Sequence, residues 1–137
     1  MREFLPFFCG FAAARNSDLN EEIASHLARR YGSRASEVVA LIAEDRALGR
    51  PLCPGLPDIE AEVVFAARSE DARTLADALI RRTHLFWQAP KQGVEAVERA
   101  AGLLARELKW SKSEERAAMD DYAREVERSR RAIRHPS

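Results

Sequence analysis

The stretch Asp18-Leu19-Asn20-Glu21-Glu22-Ile23-Ala24-Ser25-His26-Leu27-Ala28-Arg29-Arg30-Tyr31-Gly32-Ser33 decides how the chain reads. Asp18 to Glu21 has capping-box character, and Leu19, Ile23, Leu27 and Tyr31 recur at four-residue steps, which places them on one face of a helix. Gly32 follows as the residue able to stop that helix in a left-handed conformation, and Ser33 can cap the next one. Ala35, Val38, Leu41 and Ile42 then form a second apolar stripe. A tightly joined helix pair is expected.

The same punctuation continues outward. Three prolines and two glycines between Gly49 and Pro57 exclude a helix there, so a loop is expected. Asp58 can cap a helix carrying Ile59, Val63 and Ala66, widened by Val64 and Phe65; a short strand is the alternative, but strict alternation is missing. Thr74 and Asp77 offer another cap before Leu75, Ala78 and Leu79. His84-Leu85-Phe86-Trp87 reads as a loop or short turn against the body. Val94, Val97, Ala101, Leu104 and Leu108 mark a helix of about four turns. Ser111-Lys112-Ser113-Glu114 opens a final long helix with Ala118, Tyr122 and Val126 on its buried face. After Arg128 the stripe fades toward Arg130, Arg131, Arg134 and His135, so residues 129–137 are expected as a basic tail. The expected fold is all-α, a single compact bundle-like domain of about six helices over residues 18–128. Residues 1–17 form a poorly specified N-terminal segment.

Composition agrees with one domain. The 137 residues are 46% hydrophobic and 32% charged, which suits a globular core rather than wholesale disorder. Lys and Arg number 22 and Asp and Glu 22, so no chain-wide field draws the protein to nucleic acid or anionic lipid. Phe4 to Phe11 is apolar but interrupted by Pro6 and Gly10, with Glu3 offsetting Arg2; a docking segment is a better reading than a secretory leader, and no membrane span is expected. Cys9 and Cys53 read as reduced thiols, consistent with a cytoplasmic location. His26, His84 and His135 lack metal-ligand spacing, so no metal site is expected.

The candidates for chemistry are few. The six glycines assemble neither G-x-G-x-x-G nor a P-loop, and no G-x-S-x-G elbow exists. Glu60 with Glu62, and Asp120 with Asp121, are expected to be solvated charges. Arg81-Arg82-Thr83, at a helix end beside Leu85-Phe86-Trp87, is the most pointed polar feature. One arginine could meet terminal carbonyls, and the other could grip a carboxylate or phosphate through its fork. Trp87 and Trp110 read as core or interface anchors.

Taken in order, Arg30-Tyr31-Gly32-Ser33, Glu37-Val38, Pro54-Gly55-Leu56-Pro57, Ala61-Glu62-Val63-Val64-Phe65-Ala66, Asp77-Ala78-Leu79-Ile80-Arg81-Arg82-Thr83 and Glu107-Leu108-Lys109-Trp110-Ser111 form a specific set. From about Leu19 to Glu127 the chain resembles the C-terminal helical domain of FAD-dependent glycerol-3-phosphate dehydrogenases, found also in alpha-glycerophosphate oxidases. The full-length family oxidises sn-glycerol 3-phosphate to dihydroxyacetone phosphate, reduces FAD and passes electrons to quinone or oxygen. The resemblance implies a helical module that holds no cofactor itself, carries no catalytic residue and is inactive without an FAD-domain polypeptide. It matches Arg81, Arg82 and Thr83 to the family's Arg-Arg-Thr segment, read here as a contact with that catalytic domain or with an anion. Tyr31 and Gly32 match a structural turn. Ser69 departs from the family, whose members often carry His before the Glu at position 70, and residues 1–16 do not resemble its usual lead-in. A separate start codon, a split gene or a truncated gene would account for that. The implied location is cytoplasmic, peripheral to the inner membrane through the partner. On the residues alone, a free-standing interaction or regulatory module stays open. It would act as a DNA-binding helix-turn-helix or as a homodimer through the Phe4–Phe11 and Leu85–Trp87 patches.

Overall fold

The computed structural model describes residues 19–83, 85–88 and 94–134. The expectations placed on residues 1–17, Asp18, His84 and His135 lie outside them. The described chain is all-α, with α1 Glu21–Tyr31, α2 Ala35–Glu44, α3 Glu60–Ser69, α4 Leu85–Gln88, α5 Val97–Leu108 and α6 Lys112–Arg134, joined by short 3-10 turns. Pairing of extended backbone among the described residues is confined to one antiparallel bridge, Pro51 with Ile59. Two compact units divide the chain, residues 1–65 and 66–137. No described helix is long and apolar enough to cross a membrane.

In the first unit, α1 begins where Asn20 caps it, the side-chain oxygen accepting from the Ile23 N–H at 2.8 Å. Ile23, Ala24, Leu27 and Ala28 are its buried residues, while Leu19 and Tyr31 of the expected stripe are half-buried. Gly32 ends the helix at φ 56° and ψ −128°, a positive-φ conformation that a Cβ would strain, and its N–H reaches the Ala28 carbonyl. Ser33 does not cap α2. The chain passes through a 3-10 turn, Gly32–Arg34, directly into the helix, and the Ser33 carbonyl instead accepts from Ser36 Oγ at 3.2 Å. Ala35, Val38 and Leu41 are buried as expected. The proline-rich segment is irregular, held by Leu52 N–H to the Asp58 carbonyl and Glu60 N–H to the Arg50 carbonyl, both at 2.9 Å. It delivers Ile59 and α3, which is a helix and not a strand; Ala61, Val63, Val64, Phe65 and Ala66 are all buried.

In the second unit, Thr74 and Asp77 cap reciprocally. Thr74 Oγ1 accepts from the Asp77 N–H at 3.0 Å and Asp77 Oδ2 from the Thr74 N–H at 3.2 Å. The residues that follow, Asp77–Arg82, wind as a π-helix rather than an α-helix, and the Thr83 N–H reaches back five residues to the Ala78 carbonyl at 2.9 Å. Leu85 to Gln88 is a helical turn with Leu85 fully buried. Lys109 ends α5 in the left-handed conformation, φ 59° and ψ 45°. Ser111 and Glu114 exchange capping bonds at 3.1 and 3.2 Å and launch α6. That helix buries Tyr122 and Val126 and continues to Arg134, past the point where the apolar stripe fades.

Candidate functional site

The most unusual chemistry lies in the first unit, where α1 meets the start of α3. Asp58 and Glu62 are completely buried, and Glu60 is 5% exposed. Glu60 and Glu62 are therefore not solvated charges. Their helix is the one whose exposed face is narrowest, so even its first-turn carboxylates are drawn inside. A buried carboxylate needs partners, and Glu62 has a full set. Its Oε1 accepts from Tyr31 OH at 2.8 Å and from Arg30 Nη1 at 3.3 Å, and its Oε2 from the Ile59 N–H at 2.8 Å. His26 Nε2 lies 3.1 Å from both oxygens. The bond to Ile59 shows that Glu62, not Asp58, caps the entry to α3.

Asp58 points instead to the cations of α1, with His26 Nε2 3.4 Å from Oδ1 and Arg30 Nη1 3.5 Å from Oδ2. Both distances are beyond those of charge-assisted hydrogen bonds, and neither Asp58 oxygen has a hydrogen-bond partner. Burial, reinforced by the neighbouring Glu62 charge and only partly offset by His26 and Arg30, pushes its pKa up from 3.8 to about 6. Four-residue spacing on α1 sets His26 and Arg30 on one face, and one-turn spacing sets Asp58 beside Glu62. Tyr31 completes the site; its ring meets Phe65 edge-on at 5.3 Å and 77°, while the Arg34 guanidinium lies 4.8 Å above the Phe65 ring.

The Arg-Arg-Thr segment belongs to the second unit and splits by exposure. Arg81 is exposed and paired with Asp77 on the preceding turn. Partial burial would raise the Asp77 pKa, but bonds from the Arg73 N–H, Arg81 and Thr74 outweigh it and hold the carboxyl below its usual range. Arg82 is exposed too, its Nη2 donating to the Glu70 carbonyl at 3.3 Å, so it meets a backbone carbonyl outside its own helix end. Thr83 is fully buried, with its hydroxyl donating to the Ala78 carbonyl at 2.8 Å. Buried in this way, its side chain is not exposed to a partner or anion. Arg81 and Trp110 line one groove of about 510 Å³ together with Arg73, Asp77, Tyr122 and Glu125. Trp87 is 69% exposed, which removes it from the core of this chain.

Among the described residues, no strand, glycine-rich turn and helix N-terminus follow one another in the way that cradles a pyrophosphate. A pyrophosphate cradle needs a strand, a glycine-rich turn and a helix N-terminus in succession. The positive-φ glycines, Gly32 and Gly55, stand in separate turns instead.

Residues 9–115 match the family described as the C-terminal domain of alpha-glycerophosphate oxidase. The chain is 38% identical over 93 residues to the mitochondrial glycerol-3-phosphate dehydrogenase SDP6 of Arabidopsis thaliana, covering 68% of this chain and 15% of that protein. It is 34% identical over 96 residues to the glycerol-3-phosphate dehydrogenase of Synechocystis, covering 70% and 17%. Against the mitochondrial glycerol-3-phosphate dehydrogenase of Mus musculus it is 36% identical over 110 residues, covering 77% and 15%. The chain thus spans about one-sixth of the length of the curated relatives it matches. No solved structure matches it.

Proposed function

Because the chain belongs to the family of the C-terminal domain of alpha-glycerophosphate oxidase, we propose that it is the accessory helical domain of an FAD-dependent glycerol-3-phosphate dehydrogenase. Oxidation of sn-glycerol 3-phosphate to dihydroxyacetone phosphate, with reduction of FAD, is then the work of a flavin-binding domain against which these helices pack. The carrying observation is the family match across residues 9–115, in a chain that corresponds to about 15% of a dehydrogenase. On this reading the flavin belongs to the other domain, and this one holds no cofactor.

The contact with the flavin-binding domain is proposed at Arg81, Arg82 and Trp87. Three observations support that edge. Both arginines are exposed, each is paired with a carboxylate (Asp77 and Glu70), and a large indole stands outside the core close by in sequence. Arginine and tryptophan are the residue types that most often anchor interfaces. The reading carries a cytoplasmic location, at the inner membrane only through the flavoprotein.

The test is reconstitution. The Synechocystis relative, produced without the region this chain matches, is assayed for glycerol-3-phosphate-dependent dye reduction with and without this protein. Added chain is expected to restore turnover, and Arg81→Ala with Trp87→Ala to abolish the effect. Turnover by the chain unaided, or no association with the flavin-binding part, would overturn the proposal.

A further inference from the structure

We propose that His26, Asp58 and Glu62 form a binding site for a divalent transition-metal cation, with Zn²⁺ the ion that the geometry fits best. This site is separate from the docking edge and does not depend on the function proposed above. One ligand atom from each of the three residues lies within 4.8 Å of the others. His26 Nε2 stands 3.4 Å from Asp58 Oδ1 and 3.1 Å from Glu62 Oε2. A tetrahedral ion with bonds of 2.0–2.1 Å separates its ligands by about 3.4 Å, so these two edges already have the size the ion requires. One imidazole and two carboxylates leave a fourth position for water, and that donor set suits zinc better than a soft or an all-oxygen ion.

Asp58 supplies an independent reason. It is completely buried, is aimed into the cluster, and neither of its oxygens finds a hydrogen bond. Its ion pairs with His26 and Arg30, at 3.4 and 3.5 Å, are long; leaving its hydrogen-bonding capacity unmet is costly, and a cation at the centre would satisfy it. Glu62 is already set in orientation by Tyr31 OH and the Ile59 N–H, each at 2.8 Å, as the outer partners of a metal-bound carboxylate usually are.

Arg30 is the competitor. Its Nη1 stands 3.3 Å from Glu62 and 3.5 Å from Asp58, on a side chain that keeps 19% of its surface exposed. With the imidazole neutral and Arg30 turned outward, two carboxylates and one divalent ion balance in charge. The ion binds only the deprotonated forms of its ligands, so binding weakens at lower pH.

The full chain, stripped with a chelator, is titrated with Zn²⁺ by calorimetry and with Co²⁺ by visible absorption. One ion per chain is expected, with affinity reduced about tenfold or more in His26→Gln and Asp58→Asn and increased in Arg30→Gln, as expected when a ligand or a competing cation is removed. Imidazole NMR of the unsubstituted protein gives a readout that does not depend on any variant folding, because Zn²⁺ must shift the His26 ring resonances. Absence of saturable binding, affinity unchanged in both ligand variants, or shifts confined to His84 and His135 would overturn the site.

Discussion

Glu62→Ala tests the polar core most sharply. The substitution removes the acceptor for Tyr31 OH and the Ile59 N–H, both at 2.8 Å, for His26 Nε2 at 3.1 Å and for Arg30 Nη1 at 3.3 Å. Each stranded buried donor costs about 1–3 kcal/mol, but these costs overlap because the donors share one site. Removing one partner of a buried ion pair costs about 3–5 kcal/mol, and that range is the working figure. It is a large part of a total stability of about 5–15 kcal/mol. In urea unfolding followed by circular dichroism, with a slope of about 1.5 kcal/mol/M, the midpoint is expected to fall by about 2–3 M. A variant already unfolded in buffer satisfies the same expectation. Glu37→Ala is the control, since its partner Arg34 and Glu37 itself are about half exposed. Its cost is expected to stay below about 0.5 kcal/mol. A Glu62→Ala midpoint within about 0.5 M of the parent would refute the claim that this carboxylate ties α1 to α3.

Tyr31→Phe keeps the edge-on contact with Phe65 and loses only the hydroxyl bond, so urea unfolding should show a loss of about 1–1.5 kcal/mol. A loss as large as that of Glu62→Ala would mean that ring packing, not the hydrogen bond, had been disturbed. Gly32→Ala meets no atom within 4 Å at its new Cβ, so only the backbone at φ 56° resists it. The expected cost is about 1–3 kcal/mol, read as a lower thermal midpoint. An unchanged midpoint would show that the α1–α2 turn relaxes freely. Asp58 also makes a pH signature in metal-free protein. Its folded pKa of about 6 lies above 3.8, so the folded state binds more protons between those values. That contribution is complete below pH 3.8 and is lost as pH rises through 6, in the field of His26, Arg30 and Glu62. The parent minus Asp58→Asn stability difference should therefore fall with rising pH across that window, by about 3 kcal/mol at most. A flat difference would contradict the raised pKa.

Much of the fold was legible because it is written locally. Thr74 with Asp77 and Ser111 with Glu114 act as the expected helix caps, while α1 is capped by Asn20, inside the Asp18–Glu21 stretch rather than at its start. Each works over three residues, which a sequence displays directly. Ile23, Leu27, Val38 and Leu41 were readable as a buried face for the same reason. The polar core was not legible, because His26 and Glu62 are 36 residues apart and meet only after the proline-rich segment has turned the chain back. Spacing rules look for ligands on one helix, so they pass over His26 and place the carboxylates in solvent. The sole local sign was Glu62 beside an unbroken apolar run, Val63-Val64-Phe65-Ala66, where a solvated face has little room. The π-turn was hidden as well. Nothing between Asp77 and Arg82 signals five-residue hydrogen bonding, although the residue that closes it, Thr83, is buried.

The visible spectrum of the isolated chain, followed by that of the chain recovered with a flavoprotein, tests the central claim most directly. Gel filtration after mixing with excess FAD should return a colourless chain. Capture of the same chain from its native cells should return it with a yellow partner whose flavin bleaches when glycerol 3-phosphate is added. A chain that elutes yellow by itself would contradict the account.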